Sequence, residues 1–282
     1  MNIKFYLIFI FLCAGFSING QELVFTRADS LFRAGNFQLA ALEYERVIYL
    51  SKRSETSNAA RFRKSNCYKQ IGDHDRALDE LGQISLFTVG DSERFEILKE
   101  QAIVAYLNGD FSYSYSKIQQ LENLSGNRPD NYFWPFTILV LNEMHEWEEA
   151  EETLRLHAPG KIDNKSYELL LGIFEKQPKL KNPGTAKWLS FVPGLGHVYA
   201  GHPLEGMAAF GINLAFLSFG AYQMYLGYYL TGYFIGAGGL SEFFFGSRAR
   251  AGYLVSKKNH QRVREYNNRI KKILMENAEM GL

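Results

Sequence analysis

The chain has 282 residues, 46% of them hydrophobic and 22% charged, and a net charge of +1. That length holds two modest domains. Residues 21–187 carry 21 Lys or Arg against 25 Asp or Glu, a mixed, mildly acidic surface that excludes the basic footprint of a nucleic-acid binder. Charge is unevenly spread along the rest: from Trp188 to Gly246 there is no Lys or Arg and the only acids are Glu205 and Glu242, while the tail from Ser247 has nine Lys or Arg against three Glu.

The N-terminus, MNIKFYLIFIFLCAGFSINGQ, places Lys4 before an apolar run from Phe5 to Phe16, followed by small and polar residues. This is the order of a secretory signal peptide over residues 1–20, and the run is short for a bilayer span. Cleavage is expected between residues 19 and 22, with an uncleaved anchor as the alternative. Cys13 follows Leu12, where lipid attachment needs a small residue, so it reads as part of the run. Removal of the signal leaves Cys67 alone, and packing rather than a disulfide must hold the exported part together.

Residues 21–177 contain one pattern four times. "RAGNFQLA", "QIGDHDRA", "LNGDFSYS" and "EMHEWEEA" align on Gly35, Gly72, Gly109 and His145, at spacings of 37, 37 and 36 residues. Two residues on stands Phe37, His74, Phe111 or Trp147, and three further a small residue, Ala40, Ala77, Ser114 or Ala150. Four beyond comes Tyr44, Leu81, Ile118 or Leu154. A glycine between antiparallel helices takes the left-handed conformation that ends the first of them. The aromatic covers the turn, the small residue admits a close crossing, and the large residue on the same face fills the groove to the next pair. Such hairpins bury their apolar faces only by stacking. Asp163 is expected to cap one more amphipathic helix, "NKSYELLLGIFEKQ", closing the stack.

The G-x-[aromatic]-x-x-A pattern, with small Ala28, Ser65 or Ala102 seven before the glycine, resembles the tetratricopeptide-repeat family over residues 22 to about 157. The fourth unit departs from it at Ile138 and His145. The resemblance implies a concave face that binds protein partners or peptides, with Asp29, Arg33, Phe62, Asn66, Lys69, Lys99 and Tyr106 at its groove positions. A solvated helix face is the plainer reading of each of these residues.

A Pro- and Lys-rich hinge at 178–187 leads to apolar segments over 188–246. Trp188–Ala200 is short and broken by Pro193, Gly194 and Gly196; Leu204–Leu226 and Gly227–Gly246 are each long enough to cross a bilayer. Gly206, Ala209 and Asn213, then Gly232, Gly236 and Gly239, recur at spacings that permit close helix contact in lipid, and aromatics gather at segment ends. The expected arrangement is two to three membrane-embedded segments, with the basic helical tail, 247–282, on the cytoplasmic side if there are three.

"FVPGLGHVYAGHPLEG" together with Asn213 and Glu242 resembles a P-G-x-G-[Q/H]-x-Y-x-G motif of small bacterial Gly-rich membrane domains, over about 186–260. The motif positions are Pro193, Gly194, Gly196, His197, Tyr199 and Gly201. His197, His202 and Glu205 lack a fourth ligand and a helix to enforce their spacing, so no metal is expected. No phosphate loop, paired-cysteine site or nucleophile elbow occurs, and neither a cofactor nor an enzymatic activity is expected.

The fold expected is all-α: a tetratricopeptide-like helical-hairpin solenoid followed by a compact helical transmembrane domain. The function expected is that of a scaffold in a bacterial inner membrane, with its repeats in the periplasm, binding envelope proteins or peptides. The second reading is a transport or insertion-accessory role, marked by a polar cavity joining His197, Asn213 and Glu242.

Overall fold

The computed structural model describes residues 20–125 and 133–281; the expected signal peptide lies outside them. It is all-helical, with no strand among the described residues. It divides into two compact units between Lys161 and Ile162.

The first unit runs α1 (Gly20–Arg33), α2 (Phe37–Leu50), α3 (Ser54–Gln70), α4 (His74–Gly82), α5 (Asp91–Asn108), α6 (Phe111–Ser125), α7 (Trp134–Met144) and α8 (Trp147–His157), each helix packing on the next. The four aligned positions share one local structure. Gly35, Gly72, Gly109 and His145 have φ of 77°, 78°, 79° and 66°. The following residue donates its N–H five positions back at every turn: Asn36 to Leu31, Asp73 to Tyr68, Asp110 to Ala105 and Glu146 to Leu141, all at 2.9–3.0 Å. This bond satisfies a carbonyl that the ending helix leaves open. Asp73 and Asp110 then accept from the N–H groups of Arg76 and Tyr113 to start the next helix.

The small and large residues fall where the pattern requires. Ala40, Ala77, Ser114 and Ala150 are wholly buried, as are Leu81, Ile118 and Leu154, and Tyr44 is nearly so. One apolar cluster joins Ala28, Ala40, Tyr44, Val47 and Ala60; a second joins Ala77, Leu81, Ile97 and Val104.

The second unit runs α9 (Asn164–Phe174), α10 (Pro183–Leu189), α11 (Leu195–Ala200), α12 (Pro203–Tyr225), α13 (Tyr229–Thr231), a π-helical turn (Gly232–Ala237) and the 44-residue α14 (Gly238–Gly281). Asp163 caps α9 as expected, accepting from Ser166 N–H at 2.9 Å. The helix belongs to the second unit, where Phe174 meets the Tyr266 ring edge-on at 6.4 Å. The expected hinge is tied down too: Asn259 of α14 bonds both backbone groups of Lys181, and Arg262 donates to the Lys179 carbonyl.

The apolar region also differs from expectation. Trp188–Ala200 is no span but two short helices and a turn, and residues 227–246 run as α13, the π turn and the start of α14. The boundary drawn at 246 between apolar segment and basic tail falls inside one helix, about 66 Å long at 1.5 Å per residue. Among the described residues one helix, α12, is long and apolar enough to cross a membrane.

Candidate functional site

In the first unit, charged side chains occupy the crossings between helices. Asp29 on α1 accepts from the Tyr44 hydroxyl at 2.6 Å and from Arg63 at 2.5 Å, and Arg63 lies 5.1 Å from the centre of the Phe25 ring. Burial and the adjacent Asp29 carboxylate raise the Tyr44 hydroxyl above its ordinary pKa, so it donates at any physiological pH. One layer on, Lys64 bonds Glu80 at 2.7 Å and Glu45 at 2.5 Å, and Arg61 reaches the other Glu80 oxygen at 3.0 Å. Lys64 is 7% exposed; a buried ammonium persists in such a site because two carboxylates compensate it.

The groove residues expected from the repeat resemblance divide into three kinds. Phe62 packs on the second apolar cluster, and Tyr106 sits between Phe111 and Phe136, with ring centres 5.6 and 5.4 Å away. Lys69 and Lys99 bond Glu100 and Glu96, while Arg33 donates to the Asp29 carbonyl. Asn66 is half-buried. With Asp29, bonded to Tyr44 and Arg63, six of the seven expected groove residues thus have internal partners. The more open feature is a cleft of about 290 Å³ whose lining includes Gln38, Leu42, Glu45, Lys64, Tyr68 and Arg76. Sequence reasoning passed over it because Glu45, Lys64 and Arg76 look like solvated charges until α2, α3 and α4 are brought together.

In the second unit the motif residues explain themselves as packing. A Cβ at Gly194 would stand 2.3 Å from the Gly206 carbonyl oxygen, and one at Gly196 only 2.3 Å from the Ala186 oxygen and 1.9 Å from Ser190 Oγ. The glycines therefore let α11 reach α10 and α12 backbone to backbone. Ala186, Ala200, Ala251, Leu254 and Val255 make the small core that pins α10 and α11 to α14. Tyr199 covers it, its hydroxyl accepting from Asn182 N–H at 3.3 Å and its ring lying 4.9 Å from the Lys181 ammonium. Pro193 shapes the turn, and Gly201 ends α11 with φ of 83°.

His197 and Glu242 do not share the cavity that Asn213 borders. His197 is 3% exposed, and burial pushes its imidazole below the ordinary histidine pKa. Asn213 donates to the Ala209 carbonyl at 2.7 Å and borders a cavity of about 520 Å³ with Pro193, Phe210, Leu217, Ser241 and Phe244; neither His197 nor Glu242 lines it. Glu242 is exposed. Glu205 bonds Arg250 at 3.3 Å and stands 3.6 Å from His202. Among the described residues no three His, Cys, Asp or Glu side chains converge as a metal site would require.

No family model, curated protein or solved structure matches the chain.

Proposed function

We propose that the chain is a non-enzymatic scaffold of the bacterial envelope: a tetratricopeptide-like array that docks proteins or peptides, held by a helical membrane anchor. The carrying observation is α12. Only 22% of its most apolar 18-residue stretch is buried, whereas the core helix of a soluble protein turns most of such a surface inward. Leu204, Met207, Phe210, Leu214 and Leu217 all face outward, a surface that water disfavours and lipid accepts. The first unit, by contrast, intersperses charged side chains among its exposed apolar ones.

The four equivalent turns support the repeat reading, and the Glu45–Lys64–Arg76 cleft, flanked by exposed Leu42 and Ile71, is the docking place that this reading favours. An extended peptide carrying both charge signs and an apolar side chain fits that lining. The N-terminal leader pattern supports export of the array, which this reading puts on the periplasmic side of the inner membrane.

Carbonate extraction followed by in-membrane cross-linking and purification tests the proposal. The chain is expected to remain with the membrane and to bring down a partner whose capture falls when Arg76 becomes Glu. Release by carbonate overturns the anchor; capture of no partner, with solute flux in reconstituted liposomes, overturns the scaffold.

A further inference from the structure

We propose that Lys187 and Arg248 form a binding site for the phosphate of an anionic phospholipid, at the level where α10 meets α14. The inference deepens the anchor reading and rests on it. Two contacts build the site. The Lys187 stem crosses α14 at Gly252, where a Cβ would stand 2.6 Å from its Cε and 3.0 Å from its Cγ. The Arg248 guanidinium lies 4.3 Å from the centre of the Phe191 ring. Lys187 and Phe191 are four residues apart, with the Phe191 N–H bonding the Trp188 carbonyl to continue the turn; Arg248 and Gly252 are also four apart. The contacts therefore run antiparallel, and the two cations flank one crossing of α10 and α14.

Among the described residues neither cation has a carboxylate partner. Glu205 is engaged instead by Arg250. An arginine held over a ring keeps N–H donors for a planar or tetrahedral oxyanion, and a lysine on the facing helix adds a point charge. The surroundings select a lipid as the source of that phosphate. Trp188 is 68% and Phe191 57% exposed, with Val192 exposed next to them, and the chain passes from there into α12 within a dozen residues. Exposed aromatics and cations in one belt, adjoining an apolar helix, match the headgroup boundary of a bilayer. Two uncompensated cations favour phosphatidylglycerol over phosphatidylcholine, whose own ammonium they repel.

Trp188 supplies the readout. The full chain is reconstituted in phosphatidylcholine vesicles doped with equal fractions of brominated phosphatidylglycerol or brominated phosphatidylcholine, and Trp188→Phe defines the emission that belongs to this site. Phosphatidylglycerol is expected to quench that emission at least about twofold more strongly. The preference should vanish in Lys187→Gln/Arg248→Gln. It should also vanish for the unaltered chain in 1 M salt, where the Debye length is about 3 Å, while quenching by phosphatidylcholine persists. Excess soluble glycerol phosphate should leave the preference intact. Equal quenching by both lipids overturns the site and spares the anchor, and relief by glycerol phosphate overturns the lipid as its source. Absence of quenching by either lipid overturns the anchor reading as well.

Discussion

Gly35, Gly72 and Gly109 in the first unit have φ between 77° and 79° and open space where a Cβ would stand, whereas Gly196 and Gly236 in the second sit in helical backbone with no room for one. The same residue answers two different needs. In the first unit it lets the chain turn, and side chains, including the buried Lys64 and Glu80, then fill the space between helices. In the second it lets backbones touch: a Cβ on Gly236 would stand 2.4 Å from the Gly220 Cα. The larger side chains are left pointing outward, a division suited to a solvent that gives helices no hydrophobic reason to associate.

The strongest test of this contrast is Gly196→Val. Its added carbons meet the Ala186 carbonyl and Ser190, backbone and buried side chain that have nowhere to go. The loss should exceed the about 1–3 kcal/mol typical of overpacking, and thermal melts of the full chain in detergent should show the second unit's transition lost while the first unit's remains. A second unit that melts normally would refute the close-contact role.

Glu80→Gln probes the first unit's side of the comparison. It leaves Lys64 with Glu45 alone, whose side chain is half exposed, and about 2–3 kcal/mol of stability should go. Lys64→Met in the same background should recover most of that loss, because the uncompensated charge is then gone. Additive losses in the double variant would show that the pair does not interact as its 2.7 Å geometry implies.

These two experiments fall on opposite sides of what sequence reasoning reached. The hairpin turns were legible because a left-handed residue, an aromatic and a small residue recur at fixed offsets, and each offset has one physical cause. The Asp163 cap was legible for the same reason. The ion pairs were not: Asp29 is 34 residues from Arg63, and Glu45 is 19 from Lys64, so nothing local marks them. In the second unit the motif's glycines were visible but their purpose was not, since a glycine needed for space and one needed for φ look alike in a string of letters. The length of α14 was missed because its composition changes at Gly246 while its backbone hydrogen bonds do not.

Gly109 separates the two uses of glycine at smaller cost. Gly109→Val forces a β-branched residue to φ of 79° and should cost about 1–2 kcal/mol, whereas Gly109→Asn, whose side chain tolerates that region, should cost less than half as much. Gly196→Asn should be no milder than Gly196→Val, because space and not φ is its constraint. Equal melting temperatures for Gly109→Val and Gly109→Asn would break the distinction.

His145 offers the smallest effect and the only one expected to stabilise. It holds the left-handed position of the fourth turn with φ of 66°, where glycine stands in the other three. Substituting glycine relieves about 1–2 kcal/mol of steric cost and gives back roughly 0.5–1 kcal/mol to the freer unfolded chain, a net gain of about 0.5 kcal/mol. The ring contact between His145 and Trp147, 5.4 Å between centres, is lost and works against that gain. A rise in melting temperature for His145→Gly places the fourth turn under the same rule as the first three; a fall shows that histidine is kept there for what its ring does to Trp147.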